Sequence, residues 1–151
     1  MDFPTLNLPL VDFKTKLVNQ TVQVFDEVRM KYVNLTPEEW VRQNFIHYLK
    51  NIKCYPFSLM GIEKTLAYNS LKKRADIVLY NREAQPIMIV ECKSANVNIN
   101  QDVFYQISRY NSVLKVKYLV VTNGIRHMCC LIDYKSNKLN FIKEIPCFRQ
   151  F

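Results

Sequence analysis

Three apolar, strand-like runs follow one another in the middle of the chain, and a helix-like segment lies on either side of them. The runs read SLMGIEKTLAY, RADIVLY and PIMIVECK, and the short connection NREAQ between the last two indicates a hairpin. After the second helix-like segment, QDVFYQISRYNSVL, come the runs KYLVVT and HMCCLID, joined by a turn at Asn123-Gly124, and a last strand is expected near KLNFIKEI. This order predicts an α/β fold in which helices cover a central mixed β-sheet.

The segment LTPEEWVRQNFIHYLKNI carries the clearest helix signals in the sequence. Thr36 can cap the helix, Pro37 suits its first turn, and Glu39 stands three residues after Thr36, as a capping box requires. Apolar residues at helical spacing predict a buried stripe formed by Trp40, Val41, Phe45 or Ile46, Tyr48, Leu49 and Ile52. The polar side of the helix is then expected to carry Glu38, Arg42, Gln43 and Lys50.

Residues 1–34 read as a strand-rich extension ahead of this helix. Between Val11 and Val33, short runs of β-branched and aromatic residues such as TVQVF and RMKYV predict one or two peripheral strands. No linker, internal repeat or low-complexity tract interrupts the sequence. We therefore expect residues 35–151 to form one compact unit to which the extension is attached.

The charge balance favours an acidic partner and excludes two common nucleotide sites. Lys and Arg number 21 against 13 Asp and Glu, so the formal net charge is +8. The only glycines are Gly61 and Gly124, too few and too far apart for a phosphate-binding loop or a three-glycine dinucleotide turn. Chemistry driven by nucleotide hydrolysis is therefore excluded for this chain.

The cysteines predict a reducing compartment. They number five and form no Cys-x-x-Cys pair, so no disulfide framework is indicated. The two histidines, His47 and His127, lie far apart, so no His-rich zinc site is expected. The sequence shows no signal peptide and no apolar run of the ~18 residues that a membrane span needs. A cytoplasmic protein without a membrane partner is expected.

Three charged residues lie where apolar strands leave the predicted core. Asp76 begins the second strand of the central group, and Glu91 and Lys93 end the third. Alternate residues of a strand share a face about 6.6–7 Å apart, so Glu91 and Lys93 should project together while Cys92 points away. If the two strands pair, Asp76 can join them.

Two neighbouring carboxylates repel each other unless a positive charge lies between them, and a divalent cation would supply it. Oxygen atoms from Asp76, Glu91 and the Cys92 carbonyl are the donors that Mg²⁺ prefers. Such an ion lowers the pKa of a bound water and offsets charge on a phosphoryl oxygen. Lys93 could orient that water or stabilise the transition state.

This constellation resembles the PD-(D/E)XK nuclease superfamily. More closely, the runs LTPEEWVRQ, KKRADIVLYN, PIMIVECKS, QDVFYQISRYN and YLVVTNG resemble the N-terminal nuclease domain of type I restriction enzyme R subunits, over about residues 35–133. The resemblance implies a restriction-endonuclease-like core and a Mg²⁺- or Mn²⁺-dependent DNA endonuclease. Asp76, Glu91 and Lys93 match the superfamily signature, although Ala75 stands where the signature has proline.

The resemblance also implies supporting residues. Gln106 and Tyr110 match the Gln-x-x-x-Tyr element of the RecB-like branch, which positions the site and the nucleic acid backbone. The acidic residue that the family carries on its first helix, a further metal or water ligand, falls on Glu38 or Glu39, of which we favour Glu39. A helicase-like motor is missing from the sequence, so cleavage coupled to translocation is not implied.

Each of these residues also has a structural interpretation. Asp76, Glu91 and Lys93 could form solvated ion pairs at exposed strand ends. Glu39 could bond back to the helix cap. Gln106 and Tyr110 could form an ordinary polar edge of their helix, with Tyr110 mostly in the core. Arg42 could pair with Glu38 or bind phosphate. The basic run Lys72, Lys73 and Arg74 could be a solvated turn or could contact phosphates beside the scissile bond.

The leading hypothesis is a metal-dependent phosphodiesterase acting on DNA. One alternative is a nucleic-acid-binding module with the same fold and no hydrolysis. Another is a subunit that cuts only together with a separate restriction or DNA-translocating protein.

Overall fold

The computed structural model describes residues 3–68, 71–111, 116–136 and 138–151, and the side chains of residues 66–68, 71–73 and 109–111 lie outside its described part. Within these ranges, two α-helices and nine β-strands follow one another along the chain. In chain order they are β1 (Thr15–Val18), β2 (Thr21–Asp26), β3 (Lys31–Asn34), α1 (Pro37–Asn51), β4 (Met60–Tyr68), β5 (Leu71–Tyr80), β6 (Pro86–Cys92), α2 (Gln101–Asn111), β7 (Tyr118–Thr122), β8 (His127–Asp133) and β9 (Lys138–Ile142). Neither described helix is long and apolar enough to cross a membrane.

The larger sheet of the described chain contains β4 to β9 in their sequence order. Neighbouring strands are antiparallel except β6 and β7, which run parallel and are connected through α2. A parallel pair needs a long crossover connection, and the segment that contains α2 supplies it. The mixed sheet with covering helices is therefore confirmed, including the hairpin at residues 81–85 and the turn at Asn123-Gly124.

The two helices pack on opposite faces of this sheet. Val41, Phe45 and Leu49 of α1 share a buried cluster with residues such as Ile77 and Val90. On the other face, a second buried cluster contains Phe104 and Ile107 of α2 and the preceding Ile99. They pack against residues of the sheet, namely Val78, Ile89, Leu119 and Val121. The domain therefore has three layers, with the larger sheet in the middle, α1 on one face and α2 on the other.

The extension ahead of α1 forms its own small sheet, in the order β1-β2-β3. Three strands are found where one or two were predicted, because the two-residue turn at Asn19 and Gln20, with φ of 46° and 62°, folds β1 back onto β2. The extension also packs on α1, where Trp40 stacks on Phe3 at 5.2 Å between ring centroids. A domain boundary at residue 34 stays a prediction.

The helix α1 begins as predicted, at Pro37 with Thr36 as its cap. The Thr36 hydroxyl accepts a hydrogen bond from the Glu39 N–H at 3.1 Å. The second half of the predicted capping box is absent, since the Thr36 N–H donates to the Asn34 carbonyl and the Glu39 carboxylate binds other side chains.

Two parts of the helix prediction were wrong. Arg42 and Gln43, expected on the polar side, are 5% and 0% exposed, because acidic side chains lie around them. Ile52, expected in the buried stripe, is 49% exposed, because the helix ends at Asn51 and Ile52 is its C-cap.

We expect Thr36→Ala to lower the free energy of unfolding by about 1 kcal/mol, because it removes the only side-chain acceptor recorded for the first turn of α1 in the described chain. Denaturant unfolding followed by circular dichroism measures this loss. Thr5→Ala, at an exposed position outside any element, is the matched control and should change stability by less than about 0.5 kcal/mol. Equal effects of the two substitutions would contradict the role of the cap.

Candidate active site

The strand β5 is irregular at Asp76. Regular alternation would place Ala75 with Ile77, yet Ala75 packs in the cluster on the α2 side and Ile77 in the cluster on the α1 side. Glu63, which continues the β4–β5 register opposite Asp76, has a φ of 52°, in the left-handed region that non-glycine residues rarely adopt. Irregularities of this kind redirect side chains and occur beside functional sites.

The redirected Asp76 carboxylate lies against the end of β6. Its Oδ2 accepts a hydrogen bond from the Cys92 N–H at 2.8 Å. The β5–β6 register ends at the pair of Ile77, the residue after Asp76, and Val90, the residue before Glu91. The predicted pairing of the two strands is therefore present, but the prediction that Asp76 begins its strand was wrong, because β5 already starts at Leu71 and Asp76 lies in its middle.

Lys93 follows directly after β6. Its main-chain N–H donates to the Thr122 carbonyl at 2.8 Å, so the end of β7 fixes its position. Glu91 is 7% exposed and follows Ile89 in the alternation, on the α2 side of the sheet, and Lys93 is half-buried. The middle of β5 and the ends of β6 and β7 thus meet around the Glu91-Cys92-Lys93 run.

A buried arginine of α1 contacts Asp76. The Arg42 Nη2 donates to Asp76 Oδ1 at 2.9 Å and to Glu38 at 3.1 Å, and its Nη1 donates to Glu39 Oε2 at 2.5 Å. Burial by itself would lower the pKa of Arg42, but the carboxylates of Glu39 and Asp76 outweigh it and the pKa is raised. Arg42 is therefore a permanent positive charge beside Asp76.

A second arginine connects the extension to this cluster. Arg29 lies at the β2–β3 turn, and its guanidinium contacts Asp26 at 2.6 Å, Glu39 at 2.5 Å and Glu63 at 2.8 Å. Gln43 joins the same cluster by donating to Asp26 at 2.7 Å and to Glu39 at 2.8 Å. An ionic network thus runs from the small sheet through α1 to Asp76, and from here on "the ionic network" means Asp26, Arg29, Glu39, Arg42, Gln43, Glu63 and Asp76.

Sequence reasoning did not identify Asp26, Arg29 and Gln43 as part of this region. One signal was present, since Glu39, Arg42 and Gln43 lie three and four residues apart beside the apolar stripe, where a buried polar set can form. A second was Asp26, whose Oδ1 accepts the N–H groups of Val28 and Arg29, as aspartates commonly do in turns. Neither signal names the partners, which come from different elements.

The remaining predicted residues are only partly described. Glu39 is 6% exposed and lies in the ionic network, whereas the Glu38 side chain is 45% exposed. Of the two interpretations of Arg42, the ion pair with Glu38 is present, and a contact with phosphate stays a prediction. Gln106 is exposed on α2.

For Tyr110, Lys72 and Lys73, only the main chain is described, in α2 and β5, and the predictions for their side chains lie outside the described residues. Arg74 is exposed, and its guanidinium lies 3.5 Å from Glu63.

The oxygen donors around the end of β6 match a hard divalent cation in type. They are the carboxylates of Asp76 and Glu91 and the main-chain carbonyl of Cys92, and Mg²⁺ commonly binds one or two carboxylates and keeps several waters. Burial raises the pKa of the Cys92 thiol, and the Asp76 carboxylate adds to the effect. Among the described residues, no three His, Cys, Asp or Glu side chains are grouped closely enough to hold a metal ion.

The six-stranded mixed sheet with a helix on either face defines an α/β domain with a restriction-endonuclease-like core. Residues 37–146, more than half of the chain, match the model of the family described as type I restriction enzyme R protein N terminus. The chain therefore belongs to this family.

A solved structure supports the same fold. It is a fragment assigned to an HsdR subunit of a type I restriction enzyme from Vibrio vulnificus YJ016, with a TM-score of 0.52 and 22% sequence identity. The match covers 76% of this chain and 24% of the Vibrio chain, so the protein spans about a quarter of the length of that relative. A search among curated proteins gave no significant match.

Proposed function

We propose that the chain is a metal-dependent nuclease module that hydrolyses phosphodiester bonds in DNA, as the PD-(D/E)XK pattern of Asp76, Glu91 and Lys93 implies. The observation that carries the proposal is the 2.8 Å hydrogen bond from the Cys92 N–H to Asp76, which holds this carboxylate against the end of β6. Membership of the R protein N-terminus family supports a role in a restriction system.

Asp76, Glu91 and the Cys92 carbonyl would hold Mg²⁺ or Mn²⁺, and when bound the ion supplies a water of lowered pKa and positive charge for the phosphoryl oxygens. Lys93 would orient the attacking water or donate to a non-bridging phosphate oxygen. Gln106 and Tyr110 on α2, with Glu39 on α1, would support the position of these groups. The basic residues Lys72, Lys73 and Arg74 would contact the phosphates on either side of the scissile bond.

One observation favours the non-catalytic alternative. Arg42 already supplies positive charge to Asp76 at 2.9 Å, so the charge balance of this carboxylate does not depend on an ion. The third candidate, a subunit active only with its partner, is supported by the match to a quarter of the Vibrio HsdR fragment.

Nicking of supercoiled plasmid DNA by the purified full chain tests the proposal. We expect nicking with Mg²⁺ or Mn²⁺ and none after addition of EDTA. Nicking that persists in EDTA would contradict metal dependence. The non-catalytic module is favoured if the chain binds DNA but does not nick it, either alone or with its co-purified native partners. A partner-dependent subunit is identified if a co-purified partner restores nicking.

A further inference from the structure

A groove lies between the β2–β3 turn of the small sheet and the edge strand β4. Its volume is about 470 Å³, and its walls include Arg29 and Lys31 from the turn and Glu63 and Lys64 from β4, above Met60 and Ile62. β4 is the first strand of the larger sheet, so one of its sides has no strand partner in that sheet. The groove therefore runs along an open sheet edge.

The charges that line the groove leave a positive balance. Arg29 and Glu63 neutralise each other, since their side chains pair at 2.8 Å. Lys31 and Lys64 are exposed, and no ion pair of either lysine occurs within the described part of the chain. Two ammonium groups are thus available to a ligand, and a negatively charged one is favoured.

The groove reaches the candidate active site along β4. Glu63, in its wall, lies opposite Asp76 in the β4–β5 register, and Lys64 pairs with Ala75, next to Asp76. On the adjacent strand, the exposed Arg74 lies 3.5 Å from Glu63 and extends the positive surface. A polymer lying in the groove would therefore be one strand away from Asp76.

We propose that this groove binds the sugar–phosphate backbone of the nucleic acid strand that enters the candidate active site, with Lys31 and Lys64 contacting phosphates. The inference rests on the proposed function and adds a substrate-binding surface to it. A volume of this size holds a drug-sized ligand, which corresponds to a short stretch of one strand and not to a whole duplex. Lys31 lies in the extension, outside the residues that match the family model, so half of the surface comes from a part of the chain that the family does not define.

Fluorescence anisotropy with a labelled DNA duplex, and with one of its strands alone, tests the groove in EDTA, where no cleavage occurs. The variant Lys31→Gln/Lys64→Gln is compared with Lys138→Gln/Lys143→Gln, which removes the same charge from exposed positions on or beside β9, at the opposite edge of the sheet. We expect the groove variant to bind roughly tenfold more weakly than the control variant. In a plot of the logarithm of duplex affinity against the logarithm of salt concentration, the slope for this variant should become less negative. The change should be about 0.9 for each lysine that neutralises a phosphate.

A second measurement does not depend on substitutions. Acetylation of lysines by a reactive ester, read by mass spectrometry, should be suppressed by DNA at Lys31 and Lys64 and unchanged at Lys138 and Lys143. Any of three results would overturn the proposal. They are an equal loss of DNA affinity in both double variants, equal acetylation of Lys31 and Lys64 with and without DNA, and no DNA binding by the wild-type chain. Plasmid nicking is measured separately, by the chain alone and with its co-purified partners. Groove-dependent binding without nicking in either case would refute the nuclease and leave the groove, whereas nicking without groove-dependent binding would refute the groove and leave the nuclease.

Discussion

Lys93→Ala is expected to slow metal-dependent DNA cleavage by about 10²–10⁴-fold, the usual contribution of one acid–base group or one charged donor to a transition state. DNA affinity should change little, because one phosphate contact at most is lost. The fold should be retained, since the position of Lys93 is fixed by its main-chain N–H, which the substitution keeps.

Initial rates of plasmid nicking at saturating DNA measure the effect, with anisotropy and thermal unfolding as parallel readouts. Lys135→Ala is a suitable control because Lys135 is an exposed lysine in the turn after β8. A Lys93→Ala chain that nicks DNA as fast as the control would refute the assignment of Lys93 as the catalytic lysine. Loss of nicking together with loss of folding would require Lys93→Arg or Lys93→Gln to separate the two.

Arg42→Ala is expected to lower the free energy of unfolding by about 3–5 kcal/mol. The guanidinium is 5% exposed and pairs with Glu39 and Asp76, and removal of one partner from a buried ion pair leaves an uncompensated charge. For a chain of this size, the melting temperature should fall by roughly 10 °C. Arg149→Ala, at an exposed position near the end of the chain, is the control and should have almost no effect.

The same variant tests whether Arg42 occupies the place of a cation. Without the guanidinium, Asp76 and Glu39 would attract a divalent ion more strongly, so Mn²⁺ should raise the melting temperature of Arg42→Ala more than that of the wild type. An equal Mn²⁺ response in both proteins would show that Arg42 and the ion do not compete. If Arg42→Ala melts at the same temperature as the wild type, the ionic network does not contribute to stability.

The larger sheet and α1 could be predicted because their signals are local. Thr36 and Pro37 mark the start of α1, and the apolar runs of β5 and β6 are joined by five residues whose turn chemistry centres on Asn81. Strand period and cap chemistry both depend on neighbouring residues, so a single sequence contains them. The extra strand of the extension depends on a turn that requires left-handed conformations at Asn19 and Gln20, which their residue types permit but do not require.

Of the candidate site, the sequence predicts the strand that leads into Glu91 and its pairing with the strand of Asp76, but not the position of Asp76 within that strand. Apolar runs that are joined by a short connection usually pair, so the contact of β5 with β6 could be predicted. The partners of Asp76 and Glu39 come from α1 and from the β2–β3 turn, and Arg29 lies 10 residues before Glu39 and 34 before Glu63. Such long-range partners leave no periodic signal, so helical periodicity predicts Arg42 and Gln43 on the polar side of α1, whereas both are buried in the structure.

The contact of Arg29 with Glu39 and Glu63 has a practical consequence for anyone who shortens this protein. A fragment cut to the family-matched segment, residues 37–146, would lose Asp26 and Arg29 and keep two carboxylates whose shared counter-charge has gone. Such a fragment should be recovered in poor yield even though it keeps every strand of the larger sheet. The first three strands therefore belong to the smallest piece of the chain worth expressing.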